Sequence, residues 1–156
     1  MIYNKPTCCI FGDFGYADIK TTRKNIKQII EDRINCGARR FLLSNIGIFH
    51  AICMSVCIEL RSTHPIELVH VCANNEVVEK MEFTIKSLFP NVEVMTFEDE
   101  KIPNSNTLDY AIEKMIDESD MIVFYKGQNC NDPIEEYIYA KQYAENSNKN
   151  YFYITD

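Results

Sequence analysis

The chain has 156 residues, 46% hydrophobic and 25% charged, which suits one globular domain (1–156) with a sizeable core. Its net charge of −7 disfavours non-specific binding to nucleic acid or to an anionic membrane surface, because either would need a basic footprint. No apolar stretch approaches the roughly 18 residues of a membrane span. From the charge and the apolar stretches together, neither a nucleic acid nor a membrane is expected as a partner.

The cysteines and the N-terminal segment favour a cytoplasmic protein. There are seven cysteines, an odd number, and none forms a Cys-x-x-Cys pair. Most lie inside apolar runs, where a thiol behaves as a small buried hydrophobe, so a reducing compartment is more consistent with them than a disulfide framework. Residues 1–5 lack the basic region and the apolar core of a signal peptide.

Short apolar runs alternate with segments of helical period along the whole chain. The predicted elements, in chain order, are a strand at 7–11, a helix at 22–36, a strand at 39–44, a helix at 48–61, a strand at 66–73, a helix through residue 88, a strand at 92–97, a helix at 107–118, a strand at 121–125, a helix at 133–145 and a strand at 151–154. Gly37 is the predicted C-cap of the first helix, and Pro65 and Pro90 prevent the next two from continuing.

This alternation predicts an α/β fold, a three-layer α/β/α sandwich around a doubly wound, mainly parallel sheet. Right-handed crossovers between parallel strands place helices on both faces of the sheet. The pattern does not reveal the strand order. We expect the first strand to be central, and strands 1, 2, 3 and 5 to bring their loops to one cleft.

Four of the five glycines follow predicted strands: Gly12, Gly15, Gly47 and Gly127. Ligands of open α/β sheets bind outside the carboxyl ends of the strands, where the backbone turns tightly and approaches the ligand closely. The glycines therefore predict a binding site at that edge of the sheet.

Three segments, 7–12, 41–50 and 111–125, look like the SLOG superfamily of Rossmann-like proteins, and more narrowly like its small bacterial members. In those proteins the first strand typically ends in Gly-His-Arg, a Gly-Asn-x-Gly-x-Phe-Asp turn follows the second, and a stretch like Met-Ile-Asp-x-Ser-Asp precedes a later strand. The resemblance covers most of the chain through the order and spacing of these motifs. It implies a Rossmann-like fold that handles a nucleotide-derived ligand.

Both turns depart from the superfamily pattern. Asp13 and Phe14 replace the cationic pair after Gly12, so this loop should hold a phosphate less well. The second turn keeps the asparagine, the second glycine and the phenylalanine, but Ser44 replaces the first glycine and His50 the acidic residue. The unpaired amides of the following helix could still accept an anion there, although every α/β sandwich has such turns.

Two further groups have competing interpretations. His50, Cys53 and Cys57 share one helix face, which suggests metal ligands, but this is also the predicted core face, so no metal is expected. His50 itself either contacts a ligand or packs. Among Tyr125, Tyr137 and Tyr139 at least one is a candidate to line the pocket, with packing as the alternative.

Glu136 is the candidate catalytic residue, by resemblance. In LOG-like phosphoribohydrolases and nucleoside deoxyribosyltransferases, a Gly-Thr-x-x-Glu turn at this place supplies a carboxylate that cleaves an N-glycosidic bond. Here Asp132 and Pro133 replace Gly-Thr. The alternative is that Glu136 only complements the N-terminus of its helix.

The expected function is that of a small-molecule binding module for a nucleotide-derived ligand, without a cofactor. The alternatives are a hydrolase or transferase acting on an N-glycosidic bond, and a degenerate interaction protein; a homo-oligomer is left open. The predicted ligand-binding residues lie after the strands, and they are Gly12, Asp13, Phe14, Ser44, Asn45, Gly47, His50, Ala73, Asn74, Lys126 and Gly127.

Overall fold

The computed structural model of the protein describes residues 5–13, 15, 18–44, 47–72, 93–96, 107–127, 130 and 133–155. Its elements in chain order are β1 (Thr7–Asp13), α1 (Ile19–Asn35), β2 (Arg40–Ser44), α2 (Gly47–Arg61), β3 (Glu67–Cys72), β4 (Glu93–Thr96), α3 (Thr107–Asp117), β5 (Met121–Lys126), α4 (Glu135–Asn146) and β6 (Phe152–Thr155). Every predicted strand is present, with bounds that differ by at most two residues. The helix predicted between β3 and β4 lies outside the described residues.

The six strands form one sheet in the order β4-β3-β2-β1-β5-β6, and each neighbouring pair is parallel. β1 lies in the interior, with Cys9 opposite Leu42 of β2 on one side and Ile122 of β5 on the other. The chain therefore builds outward from β1 to β4 and then returns to place β5 and β6 on the other side of β1. This topology confirms the predicted doubly wound, mainly parallel sheet.

Helices cover both faces of the sheet. Side chains alternate along a strand, so Cys8 and Ile10 pack in a first core with α1 and α2, whereas Cys9 and Phe11 pack in a second core with α3 and α4. All four of these side chains are at most 1% exposed. The burial of both faces explains why β1 is a continuous apolar run rather than an alternating one.

α1 begins at Ile19, three residues before the start that the apolar periodicity predicts. Asp18 caps the helix, because its Oδ2 accepts a hydrogen bond from the Thr21 amide at 3.2 Å. The side chains of residues 19–21 are exposed, so no apolar pattern could reveal this first turn. Across the part of the chain that the structure describes, no helix combines the length and the apolar character needed to cross a membrane.

At the amino edge of the sheet, Asp120 joins the starts of β1 and β5. Its Oδ2 accepts a hydrogen bond from the Thr7 amide at 2.9 Å, and its own amide donates to the Thr7 carbonyl at 2.8 Å. Asp120 thus lies at the edge of the sheet opposite the one where the ligand site is predicted. Its two hydrogen bonds to Thr7 help to fix the register of β1 and β5.

Candidate functional site

β1 and β5 are neighbours whose following segments lead to helices on opposite faces of the sheet, α1 on the first core and α4 on the second. Ligands of open α/β sheets bind where the chain diverges in this way beyond the carboxyl ends of the strands. Asp13 ends β1, Lys126 ends β5, and the two residues are paired in register. The candidate site is therefore the carboxyl edge around Asp13 and Lys126.

Gly12 leaves room for an aromatic ring of the protein. A Cβ atom built on Gly12 would lie 2.4 Å from Cζ of Phe49, nearer than real Cβ contacts come. Phe49 is 3% exposed, and its ring stacks on that of Tyr125 with centroids 5.7 Å apart. The close approach that Gly12 permits is therefore made by Phe49.

A hydrogen bond joins Ser44, the last residue of β2, to His50 in the first turn of α2. The Ser44 amide donates a hydrogen bond to Nδ1 of His50 at 3.2 Å, so the neutral ring carries its proton on Nε2. His50 is buried edge-on against Phe11, with ring centroids 6.0 Å apart. Burial, together with the neighbouring His70, lowers the pKa of His50 to about 3. His50 is thus a neutral acceptor packed within the protein.

Asp13 connects the loops that follow β1 and β5. Its Oδ1 accepts a hydrogen bond from the Gly15 amide at 2.9 Å and its Oδ2 accepts one from the Ile134 amide at 3.1 Å. Its backbone carbonyl accepts a third, from the Gly127 amide, at 2.7 Å. Gly15 has a φ of 61°, and a Cβ atom there would lie 2.8 Å from Cβ of Cys130, so the two loops are in direct contact.

A cavity of about 290 Å³ opens beside the end of β5, bounded by α4 and β6. This volume is near the lower end, about 300 Å³, of the range for small-molecule cavities. The lining residues include two lysines, two tyrosines, an isoleucine and a glutamate: Lys126, Tyr137, Ile138, Lys141, Glu145 and Tyr153. Of the predicted ligand-binding residues, Lys126 lines this cavity.

The charges that line the cavity are two ammonium groups and one carboxylate. Nζ of Lys141 lies 4.5 Å from the ring centroid of Tyr153, a cation–π contact. Among the described residues, neither Lys126 nor Lys141 forms an ion pair. Oε1 of Glu145 accepts a hydrogen bond from the Tyr151 hydroxyl at 2.8 Å. The lining therefore has a surplus positive charge in a protein whose net charge is negative.

Tyr137 is a lining residue whose hydroxyl group is buried. The residue is 4% exposed, and its ring meets that of Phe124 edge-on with centroids 5.6 Å apart. Its hydroxyl has no hydrogen-bond partner among the described residues, and burial raises the pKa of Tyr137. Buried hydroxyl groups are normally hydrogen-bonded, so this one calls for a partner.

Glu136 and the thiols of α2 do not line this cavity. Glu136 is half-buried in the first turn of α4 and is not among the lining residues. Cys53 and Cys57 are fully buried in the first core, and burial raises the pKa of the Cys57 thiol to about 12. Within the described ranges, no group of three or more His, Cys, Asp or Glu side chains is placed to hold a metal ion.

The structure thus brings Gly12, Asp13, Ser44, His50 and Gly127 to one edge and gives each of them a contact within the protein. The backbone of Gly47 begins α2 at the same edge. Other predicted ligand-binding residues, Phe14, Asn45, Ala73 and Asn74, lie outside the described residues and remain predictions.

Lys141 and Tyr153 are among the cavity residues that sequence reasoning missed. Lys141 follows Tyr137 by four positions, so helical periodicity places the two on one side of α4 and could have joined them. Tyr153 is opposite Phe124 in the parallel pairing of β5 with β6. That pairing depends on the strand order, which the sequence pattern does not contain.

No protein family and no curated protein matches the chain by sequence. Among solved structures, the fold is similar to DNA processing protein A (DprA) from Streptococcus pneumoniae, with a TM-score of 0.68, 8% identity and 96% of this chain covered. The match covers 50% of the DprA chain, so this chain spans about half its length. The likeness confirms a Rossmann-like α/β fold. The expectation that nucleic acid is not a partner gains no support from a protein named for DNA processing.

Proposed function

We propose that the protein is a non-catalytic domain that binds a nucleotide-derived small molecule beside the carboxyl end of β5, in a SLOG-type setting. The observation that carries the proposal is the cavity that Lys126, Lys141 and Tyr153 line together. It lies next to the edge where open α/β sheets bind their ligands. Glu136, the carboxylate on which the enzymatic alternative depends, is outside the cavity lining.

The chemistry of this lining matches the parts of a nucleotide. Lysine ammonium groups act as point charges that bind phosphate, and Lys126 and Lys141 supply two of them. Tyr153 is 47% exposed, and its ring offers an aromatic face to a base. Lys141 already contacts that ring.

Mononucleotides are expected to raise the melting temperature in a concentration-dependent manner. A ligand at about 100 times its Kd adds about 2.7 kcal/mol, which is roughly 5 to 10 °C for a domain of this size. Thermal unfolding would be followed with nucleoside monophosphates, nucleosides and a single-stranded oligonucleotide. Lys141→Ala should weaken the binding of a stabilising monophosphate about tenfold. Lys24→Ala, which removes an equal charge from an exposed position of α1, should not.

Two results of this experiment contradict the proposal. If none of the small molecules stabilises the protein, it is not a nucleotide-binding domain. If the oligonucleotide alone does so, the partner is nucleic acid. Mass spectrometry of the stabilising compound after incubation separates binding from catalysis, because a binding domain returns its ligand unchanged.

Tyr137→Phe should leave the folded protein at least as stable as the wild type. The substitution removes a buried hydroxyl that has no hydrogen-bond partner among the described residues, so we expect a change in unfolding free energy between zero and about 1 kcal/mol in the stabilising direction. Urea unfolding of the variant and the wild-type protein measures this change.

Tyr139→Phe is the matched control, because its hydroxyl donates to Oε2 of Glu113 at 3.1 Å and the residue does not line the cavity. It should cost about 1 kcal/mol in urea unfolding and leave ligand affinity unchanged. If Tyr137→Phe destabilises the protein as much as Tyr139→Phe, the Tyr137 hydroxyl already has a partner in the folded chain.

A further inference from the structure

β6 (Phe152–Thr155) is an edge strand of the sheet. It pairs with β5 on one side, and among the described residues no strand pairs with its other side. Alternate residues of such a strand direct their amide and carbonyl groups away from the sheet, where they can pair with another chain. Natural edge strands commonly discourage this with a lysine, a proline or a bulge, but residues 152–155 are phenylalanine, tyrosine, isoleucine and threonine. The outer edge of β6 is therefore open to a further strand.

Exposed apolar side chains concentrate around β6. The described part of the chain has six exposed large hydrophobic residues, and four of them belong to β6 or to α4 and its N-cap: Ile134, Ile138, Phe152 and Tyr153. Phe152 is opposite a β5 residue of the first core, and Tyr153 is opposite one of the second core. The edge strand thus has an exposed aromatic side chain on each face of the sheet, which is typical of an interaction surface.

A cation lies over each of these two aromatic rings. The guanidinium carbon of Arg33, in the last turn of α1, is 4.0 Å from the ring centroid of Phe152, and Nζ of Lys141 is 4.5 Å from that of Tyr153. Neither cation forms an ion pair within the described ranges. The carboxylate that lines the cavity beside Lys141, that of Glu145, already accepts a tyrosine hydroxyl. The uncharged strand is therefore flanked by a positive charge on each face, in a protein of net charge −7.

We propose that the outer edge of β6 binds an extended acidic segment of a partner protein, which joins the sheet as a further strand. Main-chain hydrogen bonds to β6 supply the affinity, and the side chains of the segment supply the selectivity because they alternate between the two faces. Two successive acidic residues place one carboxylate on the side of Arg33 and the other on the side of Lys141. The inference goes beyond nucleotide binding and does not depend on it, since Arg33 and Phe152 do not line the cavity.

A second copy of this chain is a less suitable occupant of the same edge. In a two-fold pair the edge meets itself, so a strand flanked by Arg33 and Lys141 would face an identical strand flanked by the same cations. Like charges would then approach one another, which is unfavourable. A segment that carries carboxylates has the complementary charge.

The test uses a capped synthetic peptide, Thr-Val-Glu-Glu-Val-Thr, and amide spectra of the isotope-labelled protein. The peptide should cause saturable chemical-shift changes at residues 152–155 and slow the hydrogen exchange of alternate amides there, because these amides become hydrogen-bonded. A peptide with two lysines in place of the glutamates should bind at least about tenfold more weakly. Methylation of alternate backbone nitrogens of the glutamate peptide should abolish binding, because it removes the strand pairing and keeps the charge.

Arg33→Gln and Lys141→Gln test the two faces separately. Each removes one charge, so each should weaken the binding of the glutamate peptide about twofold to fivefold, the range of an exposed ion pair. Lys24→Gln is the matched control: it removes an equal charge from an exposed position of α1 and should bind the peptide like the wild type. The peptide comparisons need no variant, so they decide the question even if a substitution prevents folding.

Three results would overturn the inference: no saturable shift at residues 152–155, equal binding of the methylated peptide, or equal binding of the lysine peptide. Protection of the β6 amides that rises with protein concentration in the absence of peptide would also overturn it, because a second copy then covers the edge. The proposed function is read from the nucleotide panel, in which Arg33→Gln should have no effect. A silent panel with intact peptide binding rejects the proposed function alone, and the reverse pattern rejects only the peptide site.

Discussion

Acidification from pH 7 to pH 5 should lower the free energy of unfolding by about 4 kcal/mol, through two buried histidines. Burial, with a smaller contribution from His70, lowers the pKa of His50 to about 3, and burial lowers the pKa of His70 to about 4. The unfolded chain takes up a proton at each histidine near pH 6.5, whereas the folded chain does not until the pH is lower still. The stability that the two neutral histidines contribute to the folded protein is therefore complete above pH 6.5. It is lost as the pH falls from 6.5 toward their pKa values in the folded protein, about 3 and about 4.

Urea unfolding at pH 7, 6 and 5 measures this effect. His50→Asn should remove about half of the pH dependence, because asparagine has no proton to gain and its side-chain oxygen can still accept the Ser44 amide. His64→Asn, at a partly exposed turn after α2, should retain the wild-type dependence. A wild-type free energy that stays constant between pH 7 and pH 5 would show that both rings protonate within the folded protein.

Gly12→Ala should destabilise the protein by about 2 to 3 kcal/mol, although it adds a single methyl group. The new Cβ would lie 2.4 Å from Cζ of Phe49 and under 3 Å from both Cε atoms of the same ring. The ring has little freedom to move away, because it is stacked on Tyr125 and meets His50 edge-on. The cost is overpacking in the core that lies beneath the candidate site.

A double-mutant cycle tests this cause. Phe49→Leu shortens the side chain, so Gly12→Ala in that background should cost little, with a coupling energy of more than about 1 kcal/mol. Gly37→Ala is the control: Gly37 has a φ of 108° but nothing within 4 Å of a Cβ, so its cost is backbone strain and Phe49→Leu should not relieve it. A Gly12→Ala protein within about 0.5 kcal/mol of the wild type would rule out the overpacking.

Local sequence patterns were sufficient for the elements and for the class of fold. The apolar runs predicted every strand, because a strand buried on both faces needs apolar residues at consecutive positions. The first turn of α1 escaped the same reasoning, since its stability comes from the Asp18 cap rather than from a buried face. Alternation of strands and helices then predicted a doubly wound parallel sheet.

The sequence could point to the carboxyl edge as the candidate site, but it could not predict the contacts that the residues there make. Ends of parallel strands meet at one edge, so Gly12, Asp13, Ser44 and Lys126 could be grouped from the sequence alone. Nothing in the sequence shows that the Phe49 ring packs against Gly12, or that the Asp13 carboxylate accepts a hydrogen bond from the Ile134 amide. These pairs are far apart in the chain.

The sequence by itself determined which segments form strands and where most of each described helix lies, it predicted a mainly parallel sheet, and it proposed the carboxyl edge of that sheet as the place of a ligand site. Those features follow from periodicity and chain direction, which are local. Only the tertiary structure decided that β6 pairs with β5 and completes a cavity with α4, and that Asp13 caps a helix 121 positions later. Such contacts depend on strand order and on the packing of side chains between elements, and neither quantity is written in any local stretch of the chain.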